Sequence, residues 1–129
     1  MRVKPGGKTF DEVWRIPKTP FERDAATGQW APSALDIHWN TPVLRDGYLY
    51  VFSGRNEPDA SFRCVELQTG KVSWTRDERW PGHPPPGSKA QPDVYGRGSA
   101  ILADGKLIAL GEGGKLGMFK PDPKQPVEI

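Results

Sequence analysis

The chain has 129 residues, a net charge of +2 and a hydrophobic content of 36%, which suits one small domain; its charges are interspersed, with no basic block for nucleic acid and no acidic tail. A single cysteine, Cys64, excludes an intrachain disulfide and a cysteine-rich metal site, and no apolar run reaches the roughly 20 residues of a membrane span. With 15 Gly and 14 Pro the chain is rich in turns, while five Trp, five Phe and three Tyr give short elements large rings to bury.

Residues 1–9, rich in Gly and Lys, are read as loose, and they lack the apolar region of a signal peptide. Residues 10–16 form a strand, because Val13, Trp14 and Ile16 favour β structure and Pro17 and Pro20 end it. Residues 18–34 show no sustained period and read as a long loop. The next segment runs through Asp36, His38, Trp39 and Asn40 towards Val43. Asp46-Gly47 then separates two β-rich runs, 41–44 and 48–52, which is a strong hairpin signal. A turn-rich loop over 53–60 leads to a second hairpin. There, apolar and polar residues alternate over 62–67, Gln68-Thr69-Gly70 turns the chain, and 71–74 returns to Trp74. Cys64 lies on this strand as a small buried apolar residue. Residues 41–75 therefore read as four antiparallel strands in a meander. One hairpin cannot bury the Trp74 indole alone, so a further layer must cover it.

Residues 80–93 carry five prolines in fourteen positions and form a loop, not a helix or central strand. The earlier pattern then returns. Residues 99–110 repeat 41–52 at a displacement of 58, with Asp104-Gly105 at Asp46-Gly47 and Leu107 at Leu49. Gly111-Glu-Gly-Gly114 is a tight turn, 115–119 a third strand, 121–126 a turn, and 127–129 the start of a fourth strand. Two four-stranded antiparallel units that cover each other would solve the Trp74 problem.

Residues 41–75 and 98–129 resemble the repeats of quinoprotein-like β-propellers, the pyrroloquinoline-quinone (PQQ) repeat superfamily. The resemblance rests on Asp46-Gly47, the apolar strand 48–52, Glu66 where Asp is commoner, and Thr69-Gly-Lys-Val-Ser-Trp74. The second unit keeps Asp104-Gly105 but has Pro121-Asp-Pro123 where Thr-Gly is expected. The resemblance covers about two-thirds of the chain and implies an all-β fold, an incomplete β-propeller of four-stranded antiparallel blades. Residues 10–16 would be the last strand of a preceding blade, 38–75 the first blade, 79–96 a Pro-rich inter-blade loop, and 97–129 a second, truncated blade. Trp14, Thr69, Gly70 and Trp74 would dock neighbouring blades. Because propellers close with roughly four to eight blades, the expected partners are the remaining blades of a longer chain or copies of the chain itself. The resemblance also implies a periplasmic or secreted location, although this chain shows no signal peptide.

The family includes quinone-dependent dehydrogenases, which implies PQQ and calcium as the cofactor alternative. Hard calcium sites need several converging oxygen ligands, and no spacing here supplies them; the adjacent cysteine pair of those enzymes is also missing. No cofactor is therefore expected. His38 and His83 sit in no zinc motif, the serines lack a nucleophile-elbow context, and no helix follows the Gly-rich turns. The expected function is a non-catalytic binding and assembly scaffold. Its expected binding set is His38, Trp39, Asn40, Tyr95 and Arg97, placed just before the strands at equivalent points of the two units and so on one rim. The alternatives are part of a quinone-dependent dehydrogenase and a glycan-binding surface using Trp39 and Trp80; a protein ligand is also compatible.

Overall fold

The computed structural model describes residues 2–3, 10–15, 35–54, 60–76 and 95–129. Among these residues the protein is all-β. Two four-stranded antiparallel sheets are accompanied by a two-stranded ladder, with no helix, and neither sheet closes on itself. No helix among the described residues is long and apolar enough to cross a membrane.

The ladder joins β1 (Arg2–Val3) to β2 (Phe10–Asp11), with Arg2 opposite Asp11 and Val3 opposite Phe10. This differs from the expectation at the N-terminus. Part of the stretch read as loose is paired, and the strand expected over 10–16 covers only 10–11. Residues 12–15 leave the ladder, Trp14 is directed onto the first four-stranded sheet, and Ile16 lies outside the described residues.

The first sheet contains β3 (Val43–Arg45), β4 (Tyr48–Ser53), β5 (Ser61–Glu66) and β6 (Val72–Arg76), in that spatial order. Asp46 and Gly47 have φ of 49° and 82°, so both central residues of the β3–β4 turn are left-handed. That is the two-residue turn whose twist matches antiparallel strands, and it explains why Asp-Gly is selected here. The register places Tyr50 opposite Cys64, Phe52 opposite Phe62 and Cys64 opposite Trp74, with a bulge between Cys64 and Val65. The β5–β6 turn is held by the Gly70 amide donating to the Glu66 carbonyl at 2.8 Å and by the Thr69 hydroxyl donating to the Glu66 carboxylate at 2.6 Å.

The second sheet contains β7 (Gly98–Ala103), β8 (Lys106–Gly111), β9 (Leu116–Lys120) and β10 (Val127–Glu128), again in sequential spatial order. Its first turn repeats the geometry of the other sheet, with Asp104 and Gly105 at φ 47° and 69°.

The core lies between the two sheets. From the first come Tyr50, Phe52, Phe62, Cys64 and Trp74; from the second come Leu107, Ala109 and Phe119, with Tyr95 just ahead of β7. Phe62 meets Phe119 at 5.3 Å and Trp74 edge-on at 5.6 Å, which is the favoured range for aromatic pairs. Each such side chain removed from water contributes about 2 kcal/mol. Arg76 on β6 crosses the same junction. Its guanidinium lies 4.7 Å from the Tyr95 ring centre and donates to Glu128 on β10 at 2.7 Å.

The sheets stack head to tail. Counted from the Asp-Gly turns, Tyr50 and Phe52 match Ile108 and Leu110, while Leu49 and Val51 match Leu107 and Ala109. The first sheet turns its Tyr50 face inward, whereas the second turns inward the opposite face, that of Leu107 and Ala109. The second sheet's remaining face carries Ile101, Ile108, Leu110, Leu116 and Met118, and much of it is open to solvent.

Candidate functional site

Two kinds of site residue were expected, and the structure distributes them differently. The docking set converges. The Trp14 indole lies on the β5–β6 turn, and its Nε1 donates to the Leu67 carbonyl at 2.6 Å. Gly70 has φ 71°, and a Cβ there would stand 2.8 Å from two atoms of the Trp14 ring, so only glycine admits both the turn and the indole. Thr69 closes the same turn, its hydroxyl also accepting from the Lys71 amide at 3.2 Å. Trp74 is buried, and its Nε1 donates to the Asp122 carbonyl at 2.8 Å in the β9–β10 turn. Each indole thus reaches the turn between the last two strands of the sheet that follows it in sequence. The departure of 121–123 from Thr-Gly does not remove the acceptor, because a backbone carbonyl is available from any residue.

The rim set is brought together in four of its five members. The segment before β3 is fastened along the end of β4 by three bonds. The Asp36 amide donates to Ser53 Oγ at 2.8 Å, the Gly54 amide to the Asp36 carbonyl at 2.9 Å, and Asn40 Nδ2 to the Phe52 carbonyl at 2.9 Å. His38 Nε2 stands 3.2 Å from Asp36 Oδ1. Trp39 is 81% exposed and tilted against the His38 ring at 6.1 Å. Arg97 approaches from the start of the second sheet. Its Nε and Nη2 both engage Glu112 Oε2, at 2.8 and 2.6 Å, while its backbone amide donates to Glu112 Oε1 at 2.9 Å. Between these groups lies a cleft of about 360 Å³, lined by His38, Trp39, Asn40 and Arg97 together with Phe52 and Leu110.

Tyr95 is not on this rim. It is fully buried between Phe52 and Phe119, and its hydroxyl donates to Glu128 Oε1 at 2.6 Å. Burial, aided by the Glu128 carboxylate, pushes its phenol well above the ordinary tyrosine range. The cause of the split is local. Gly96 has φ 63°, which breaks the extended alternation and sends Tyr95 and Arg97 in different directions. The ring fits only because β9 carries Gly117, where a Cβ would stand 1.7 Å from the Tyr95 hydroxyl.

Sequence reasoning missed Glu112, the partner of Arg97, which was read only as part of a Gly-rich turn. A lone carboxylate inside Gly-Glu-Gly-Gly was the available signal. It also missed the cluster of Tyr95, Arg76 and Glu128, which is assembled from three distant segments. Trp80 and His83 lie outside the described residues.

No group of three or more His, Cys, Asp or Glu among the described residues could hold a metal ion. The two acidic groups at the cleft are each held beside a neighbouring basic side chain, Asp36 by His38 and Glu112 by Arg97. Cys64 is fully buried, and burial pushes its thiol up to about 11, which keeps it protonated and unreactive at neutral pH. Comparisons with models of known protein families, with curated proteins and with solved structures find no match to this chain.

Proposed function

We propose that the chain is a segment of a quinoprotein-like β-propeller and acts as a non-catalytic assembly scaffold, its exposed sheet face receiving a further four-stranded sheet of the same kind. The observation that supports this reading is the head-to-tail stack. Val43, Tyr50, Phe52, Phe62, Cys64 and Trp74 are covered by the second sheet. The positions that match them on the second sheet are Ile101, Ile108, Leu110, Leu116, Met118 and Ile129, the last through its amide bond to the Met118 carbonyl. All six are apolar, yet Ile101, Leu116 and Ile129 are 61%, 68% and 64% exposed. A contiguous apolar face of this kind is a mark of an interaction surface. In a two-fold sandwich both sheets would turn the same face inward and none of this set would be left over. A head-to-tail stack always leaves one such face.

The two indole bonds point the same way. Trp14 bonds to the β5–β6 turn of the first sheet as Trp74 bonds to the β9–β10 turn of the second, so each four-stranded sheet receives an indole from the segment before it.

Sedimentation of the isolated chain, with an apolar dye as a second readout, tests the proposal. The expected result is self-association or dye binding that disappears in the double variant Ile101→Asp, Leu116→Asp while the β-sheet circular dichroism is unchanged. A monomer that binds no dye, and whose behaviour the double variant does not alter, would overturn it.

A further inference from the structure

The rim cleft has features that the stacking of sheets does not use. Its most exposed member is Trp39, a large ring at 81% exposure in a segment otherwise anchored by backbone bonds on either side of it. A solvent-facing indole on an anchored backbone offers a flat apolar surface to a ligand. The cleft beside it, about 360 Å³, falls within the size range of small-ligand sites.

Charge narrows the ligand class. Arg97 is matched by Glu112 at 2.6 Å, and His38 lies 3.2 Å from Asp36. Among the described residues the cleft therefore presents no excess of either sign, which favours neither an anion nor a cation there. Among the described residues two polar groups at the cleft remain without a protein partner, the Ser99 hydroxyl and Asn40 Oδ1, whose Nδ2 is the atom bound to Phe52. Together they offer one donor and several acceptor sites beside an apolar wall. A ligand that suits this arrangement is neutral, rich in hydroxyls, and has an apolar face to lay on an indole.

We propose that the cleft binds a neutral carbohydrate, with Trp39 as the platform for one sugar ring and Ser99 and Asn40 as hydroxyl partners. This reading goes beyond the assembly role and does not depend on it. The test is titration of the full chain with cellohexaose, chitohexaose, maltohexaose and mannohexaose, read by tryptophan fluorescence and calorimetry. A sulfated oligosaccharide and a proline-rich decapeptide serve as competing probes.

Saturable binding of at least one neutral sugar is expected, weakened about tenfold or more by Trp39→Ala and about threefold by Ser99→Ala. The double variant Ile101→Asp, Leu116→Asp should bind as the parent does, which separates this site from the sheet face. No saturable binding of any neutral sugar would overturn the proposal. So would tighter binding of the sulfated sugar or the peptide, or binding that Trp39→Ala leaves intact.

Discussion

The two four-stranded sheets share their strand order and their left-handed Asp-Gly turns, yet they differ sharply in what they bury. In the first, β5 is covered on both faces along nearly its whole length. In the second, β9 buries only Phe119 fully and leaves Leu116 and Met118 exposed. Composition does not set the difference, since β5 covers even Ser61 and Arg63 while β9 exposes the apolar Leu116 and Met118. Cover does: the first sheet is buried on both faces and the second on one, and a side chain's contribution depends on the face it occupies.

The comparison can be broken most directly at matched positions. Phe62 and Leu116 stand opposite Phe52 and Leu110, respectively. Phe62→Ala should cost about 4 kcal/mol, the usual price of deleting a fully buried ring. Leu116→Ala should cost no more than about 0.5 kcal/mol, as at an exposed site. Urea unfolding of the two variants measures both, and similar losses would refute the asymmetry.

A second matched pair is Arg63 and Gly117, which face Val51 and Ala109. The first sheet accommodates a long side chain there, whereas the second has Tyr95 against the glycine. Gly117→Ala is therefore expected to lower stability by about 2–3 kcal/mol through overpacking. Adding Tyr95→Phe, which removes the obstructing hydroxyl, should recover part of that loss in thermal melts. No recovery would place the clash elsewhere.

Alkaline pH sharpens the contrast through Cys64 on the inner sheet. Its thiol is raised to about 11 by burial, whereas the unfolded chain releases that proton nearer the ordinary value of 9. The unfolded state thus binds fewer protons over this interval, and stability, fully present below about 9, falls as pH rises from 9 towards 11. Tyr50 and Tyr95, also raised by burial, steepen the fall above 10. Melting temperatures between pH 7 and 11 should show this decline, and Cys64→Ala should flatten its first part. Trp74→Phe should cost about 1 kcal/mol for the lost bond to Asp122, measured by denaturant unfolding alongside Trp14→Phe.

Much of this was readable beforehand because it is written locally. Asp-Gly between β-rich runs specifies a left-handed two-residue turn, and a glycine beside Thr69 specifies the next one. That the Trp74 indole needs cover from elsewhere was legible for a different reason, since a single hairpin cannot bury so large a ring. What stayed hidden depends on contacts between distant segments. Nothing local reveals that residues 2–3 pair with 10–11. Gly96 gives no warning that its φ will separate Tyr95 from Arg97, and Glu112 gains its meaning only when the start of β7 folds back beside it. Alternation names the two faces of a strand, but it does not say which face will meet a neighbour.

The two tryptophan bonds also bear on how the molecule comes apart. Each spans one junction only and reaches from an earlier segment to the turn of a later one. Loosening the Trp74 junction would release the second sheet while the Trp14 junction held. Because the second sheet is covered on only one face, thermal loosening should begin there and reach the first sheet later.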